Sequence, residues 1–168
     1  PTLSYVWRRA RGGSVGDVST GDTVTLNTAT WQPGDTVICK AKATDAYSGS
    51  NTSNASVSIG NRLPNITDVA ITPNTNVTTT TKLTCVGTGS DPDNSGALTW
   101  SYTWRNQTTA TILGTGSAFT LTTSDASPFD VIQCKATAVD ADSGTADQVA
   151  TVSVVNSNPV FSSHTISP

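Results

Sequence analysis

Three short segments decide how this chain reads: Lys82-Leu83-Thr84-Cys85-Val86, Trp100-Ser101-Tyr102-Thr103-Trp104 and Val131-Ile132-Gln133-Cys134-Lys135. Each alternates apolar with polar side chains, the period of a strand that buries one face. In that period Cys85, Trp104 and Cys134 fall on the inward face. A Trp follows the first Cys by 19 residues, and the second Cys follows the Trp by 30.

Composition extends the β reading to the whole chain. Of 168 residues, 31 are Thr, Glu and Met are absent, and Asp supplies every acidic side chain. Thr is β-branched and suits a pleated surface, whereas Glu and Met favour helices. No window holds a 3.6-residue apolar period, so almost no helix is expected. The net charge of −3 argues neither for nucleic acid nor for an acidic tail. Its distribution is uneven: six cations and four Asp in residues 1–62 give +2, and three cations and eight Asp in 63–168 give −5. Two readings follow, solvated faces that differ by chance, or neighbouring units whose opposite signs help to orient them. No apolar run reaches the ~18 residues of a membrane span.

The sequence repeats. Ser4-Tyr5-Val6-Trp7-Arg8 matches Ser101-Tyr102-Thr103-Trp104-Arg105 at an offset of 97. Val37-Ile38-Cys39-Lys40-Ala41 matches Ile132-Gln133-Cys134-Lys135-Ala136 at 95, as do Ser56-Val57-Ser58 with Thr151-Val152-Ser153, and Pro64 and Pro73 with Pro159 and Pro168. The change in offset places a two-residue length difference between the Trp and the second Cys. Turn-forming clusters such as Asp91-Pro92-Asp93-Asn94-Ser95-Gly96 and Ser124-Asp125-Ala126-Ser127-Pro128 punctuate the strands.

On these residues the chain resembles immunoglobulin-like modules. With Ser90-Asp91-Pro92-Asp93 and Ala138-Val139-Asp140-Ala141-Asp142-Ser143-Gly144 added, it is similar to the cadherin-like and polycystic-kidney-disease-like repeats of large prokaryotic surface proteins. The resemblance implies an all-β fold of tandem antiparallel β-sandwiches with a repeat of about 95 residues. Residues 1–62 are then a module lacking its strands A and B, 63–157 a complete module, and 158–168 the first strand of a following one. In the complete module, strands are expected near Ile66–Thr72, Lys82–Gly87, Leu98–Arg105, Ala110–Leu113, Ala118–Thr122, Phe129–Val139 and Gln148–Val155; the first module begins at Leu3–Arg8. The resemblance also implies a disulfide between Cys85 and Cys134 packed on Trp104, with the partner of Cys39 outside this chain. Disulfides imply an oxidising, extracellular or cell-surface setting. The first module is either a window on a longer rod or is completed by a strand from a neighbouring copy.

Candidate sites are few. Asp91, Asp93, Asn94, Asp140 and Asp142 stand in two loops that the resemblance places at one end of a sandwich, where hard oxygen ligands could hold Ca²⁺; the same residues are ordinary turn formers. Five Asn-x-Ser/Thr sequons, at Asn51, Asn54, Asn65, Asn76 and Asn106, are acceptors for N-glycosylation where the parent cell performs it. Trp31 or Trp100, if exposed, could stack on a sugar; packing is the alternative. Arg8, Lys40 and Lys42 read as one solvated face. His164, the single His, has no adjacent nucleophile, so no catalytic triad is expected and the chain reads as no enzyme. The leading expectation is a structural repeat of an extracellular surface protein, a filament shaft or adhesin stalk, whose partners are neighbouring copies head to tail or laterally, with a cell-surface or glycan ligand possible and neither nucleic acid nor a membrane span. The alternatives are a glycan- or protein-binding immunoglobulin-like module and an accessory domain of a secreted enzyme.

Overall fold

The computed structural model describes residues 1–94 and 96–160. Among them are eleven strands and no helix: β1 (Thr2–Arg11), β2 (Ser14–Thr20), β3 (Thr36–Thr44), β4 (Ser50–Ser58), β5 (Asn65–Thr72), β6 (Lys82–Ser90), β7 (Thr99–Asn106), β8 (Thr111–Thr115), β9 (Ala118–Thr120), β10 (Val131–Val139) and β11 (Thr145–Ser153). They form three antiparallel sheets, ordered β2-β1-β3-β4, β11-β10-β7-β8 and β5-β6-β9. The chain divides into two units. The first comprises Pro1–Leu63, Asp91–Gly96 and Ala141–Gly144; the second holds Pro64–Ser90, Ala97–Asp140 and the chain from Thr145 onward.

The second unit is a β-sandwich. Alternation along β10 sends Ile132, Cys134, Ala136 and Ala138 inward, where all four are buried. Leu83 and Cys85 of β6 and Val69 and Ile71 of β5 complete the core from the other sheet. Size is matched across strands: Ala136 lies opposite Tyr102 and Ala138 opposite Trp100. Gly87 is required beneath Trp100, since a Cβ there would come within 2.3 Å of the indole. Dense packing of this kind leaves no room for an added methyl.

The first unit contributes one four-stranded sheet. Arg11-Gly12-Gly13-Ser14 closes its first hairpin, and both glycines have positive φ (54° and 82°). A two-residue loop with positive φ at both positions matches the twist of the strands it joins. Trp31 and Val37 are its buried apolar residues. Along the inward-facing register, Tyr5, Trp7, Cys39 and Ala41 are only half-buried.

Some expected boundaries move. The strand expected from Phe129 starts at Val131, because Phe129 has a φ of 76° and belongs to the preceding turn. The strand expected over Gln148–Val155 runs over Thr145–Ser153, and the edge piece expected at Ala110–Leu113 runs over Thr111–Thr115. Strand β2 was not anticipated, since Ser14-Val15-Gly16-Asp17 carries little apolar alternation and owes its place to the Gly12-Gly13 turn. Of the strand expected over 158–168, residues 158–160 are not in a strand, and 161–168, with His164, lie outside the described residues.

Candidate functional site

The centre of the second unit is a covalent and packed cluster. Cys85 of β6 and Cys134 of β10 form a disulfide across the two sheets. Trp104 lies opposite Cys134 in the β7–β10 register. It is fully buried, stacks on Phe119 at 6.2 Å, and donates its indole N–H to the Gly116 carbonyl at 2.8 Å. The donor is thereby satisfied, which a buried indole needs.

The first unit repeats the local geometry without the cover. Trp7 lies opposite Cys39 in the β1–β3 register, and its indole N–H donates to Gly21 O at 3.0 Å. Both hairpins carry a register shift right after the Trp, between Trp7 and Arg8 and between Trp104 and Arg105. Cys39 is a free, half-buried thiol.

The turns leading into β3 and β10 correspond in the same detail. Gln32 N–H donates to Asp35 Oδ2 at 2.9 Å, and Ser127 N–H to Asp130 Oδ2 at 2.9 Å. Gly34 N–H reaches Ile59 O and Phe129 N–H reaches Val154 O, at 3.0 and 2.7 Å. Asp35 and Asp130 are both buried, 1% and 9% exposed. Their outer partners differ. Arg11 grips Asp35 through two bonds of 2.6 Å, while the Asn106 amide donates to Asp130 at 2.8 Å. Hydrogen bonding to Arg11 holds the Asp35 carboxyl below its ordinary range, with the Gln32 N–H adding to this against the opposing effect of burial. For Asp130 the Ser127 N–H is the larger cause and Asn106 the second.

The acidic residues fall as follows. Asp91 and Asp93 are buried in one turn, where Asp91 Oδ1 accepts the Asp93 N–H at 2.8 Å. Asn94 accepts from Gly96 N–H at 2.6 Å. Asp93 is held by Arg62, whose backbone N–H and Nε donate at 2.6 and 2.7 Å, and whose Nη2 donates to Pro92 O. Burial pushes the Asp93 carboxyl up, but the Arg62 backbone and side-chain bonds together outweigh it and leave the group below its ordinary range. Asp142 is exposed in the first unit and Asp140 buried in the second. Among the described residues no group of three or more His, Cys, Asp or Glu is gathered as a metal site. No local sequence pattern announces the role of Arg62 beside Asp93.

Asn51 and Asn54 stand exposed on β4, and Asn65 and Asn76 are exposed as well. Asn106 is 1% exposed, and its Nδ2, the atom that would carry a glycan, donates to Asp125 O and Asp130 Oδ2. Trp31 is buried, and Trp100, half-buried, packs on Gly87 and stacks with Tyr102 at 6.4 Å. Arg8 pairs with Asp17 at 2.7 Å, beside the exposed Lys40 and Lys42. Comparison with family models and with curated proteins finds no match.

Proposed function

We propose that the chain is a run of tandem immunoglobulin-like modules of an extracellular surface protein, with a non-catalytic, structural role as a filament shaft or adhesin stalk. The observation that carries this reading is the correspondence of contacts that do not follow from β structure in general. Trp7 with Cys39 corresponds to Trp104 with Cys134, and the buried Asp35 turn corresponds to the Asp130 turn in the bonds made by its backbone N–H groups. Positive φ values recur at Ser48 and Ser143, 71° and 69°. Two units that agree in such idiosyncratic detail are most simply copies of one module. A module held by a cross-sheet disulfide suits an oxidising exterior, and no described helix is long and apolar enough to cross a membrane. Glycosylation, where it occurs, belongs at Asn51, Asn54, Asn65 and Asn76. The rival reading, glycan recognition through Trp31, loses support because that ring is buried. Electron micrographs of the native material test the proposal: extended particles are expected, and globular ones would overturn it.

A further inference from the structure

The outer face of strands β1 and β3 carries charge that the fold does not use. The alternation that turns Trp7 and Cys39 inward turns Val6, Arg8, Lys40 and Lys42 to the other side. In the second unit the corresponding face stays open although the whole sandwich is present: Arg105 and Lys135 are exposed there, while β5-β6-β9 covers the Trp104 side. The outer face of the first unit is therefore free surface whatever lies over its inner face or beyond its ends.

Charge on this face is arranged differently in the two units. In the second, Lys135 Nζ pairs with Asp147 Oδ2 at 2.6 Å, and the Thr137 hydroxyl donates to Asp147 Oδ1. Where β10 and β11 have Lys135, Thr137 and Asp147, β3 and β4 have Lys40, Lys42 and Thr52. One difference removes the carboxylate and the other adds an ammonium group. Lys40 and Lys42 are both exposed, and neither has an ion pair among the described residues. As alternate residues of one strand they stand about 7 Å apart, so their fields add. Beside them Arg8 meets Asp17 through Nε alone, at 2.7 Å, which leaves both Nη groups as donors. With Ser4 and Val6 these side chains line a groove of about 230 Å³.

We propose that this groove binds an anionic polysaccharide, whose carboxylate or sulfate groups pair with Lys40, Lys42 and the Nη groups of Arg8. Three cations facing a single carboxylate, Asp17, give the groove a positive field that draws in such a polymer. Its surround favours a carbohydrate over an acidic protein. Thr52 and Asn54 lie opposite the two lysines on β4 and offer hydroxyl and amide groups to sugar hydroxyls. No aromatic ring lines the groove, and Val6 is half-buried. Protein interfaces deplete Lys and depend on aromatic or Arg anchors in desolvated pockets, which this face lacks. The proposal adds a ligand to the surface-protein reading and does not depend on it.

Calorimetry and amide shifts of the 168-residue chain test it, with polygalacturonate and dextran sulfate as probes and neutral dextran and polyglutamate as controls. The chain is used without carbohydrate, since Asn54 stands opposite Lys40 and a glycan there would occupy the same face. Shifts confined to residues 4–8, 17, 40–42 and 52–54 are expected with one or both anionic polysaccharides, fading as salt rises, and none with neutral dextran. Which probe binds tells a carboxylate ligand from a sulfate one. Lys42→Thr and Thr52→Asp each install the residue of the second unit. Combined, they should weaken binding by about tenfold or more with the thermal midpoint unchanged, and Lys135→Ser should leave binding as it was. Binding of neither anionic polysaccharide, equal binding of neutral dextran, tighter binding of polyglutamate, or an equal loss in Lys135→Ser would overturn the proposal. Extended native particles without binding remove the groove alone; globular native particles with binding intact remove the stalk reading alone.

Discussion

The sheets β2-β1-β3-β4 and β8-β7-β10-β11 hold the same Trp and Cys in the same register, yet one pair is half-buried with a free Cys and the other fully buried and disulfide-bonded. Pairing, hairpin geometry and the Asp turns are thus properties of the four strands themselves. Burial and oxidation come from the opposing sheet β5-β6-β9, which brings Cys85 and the Leu83, Val69 and Ile71 side chains over the second unit.

Removing the shared Trp gives the largest contrast. Trp104→Ala should cost toward the upper end of about 3–5 kcal/mol, since the cavity is closed on all sides by the core. Trp7→Ala should cost less than about half of that, because its ring already meets water and the site collapses freely. Urea denaturation of both variants measures this. Equal costs would mean that the sheet face around Trp7 is as well covered as that around Trp104.

The cysteines come next. Closing a sequence separation of 49 residues stabilises the folded chain by about 4 kcal/mol in the chain-entropy model. Cys134→Ala should lower stability by an amount of that order, whereas Cys39→Ala should stay within about 0.5 kcal/mol. In the folded 168-residue chain a maleimide should label one thiol, at Cys39, and the other two only after reduction. Labelling of Cys134 without reductant would break the distinction between the two units.

Much of this was legible in the sequence, for a physical reason. The period-2 alternation around Cys85, Trp104 and Cys134 reports burial directly, because each inward side chain must be apolar. All-β architecture and the disulfide followed from it and from the resemblance. What stayed hidden depends on backbone conformation or on distant partners. Phe129 looked like the first residue of a strand until its positive φ placed it in a turn. Asn106 looked like a sequon like any other, and only the packing of Asp125 and Asp130 around its amide reveals that it is structural. The Arg62–Asp93 pairing has no local signature, because the two residues are 31 positions apart along the chain.

The two Asp turns give the finest contrast. Both carboxyls titrate below their ordinary range in the folded chain. A depressed folded pKa means that the unfolded chain binds more protons over that interval, so stability rises with pH across it. The contribution is complete above the unfolded value of about 3.9 and is lost as pH falls through the depressed folded values. The causes differ, however. Asp35 owes its shift first to a charged partner, Arg11, whose side chain is 39% exposed; Asp130 owes its shift to a backbone N–H and a neutral amide. Salt screens the charged pair and leaves dipolar bonds nearly untouched. The Gln32 and Ser127 amide protons, which touch the respective carboxylates, report each titration separately by NMR. Raising the salt to molar concentration should move the Asp35 midpoint up toward the ordinary carboxylate range and leave that of Asp130 where it was. Equal movement of both would mean that the Arg11 bond, despite its two short contacts, adds no more to the first turn than Asn106 adds to the second.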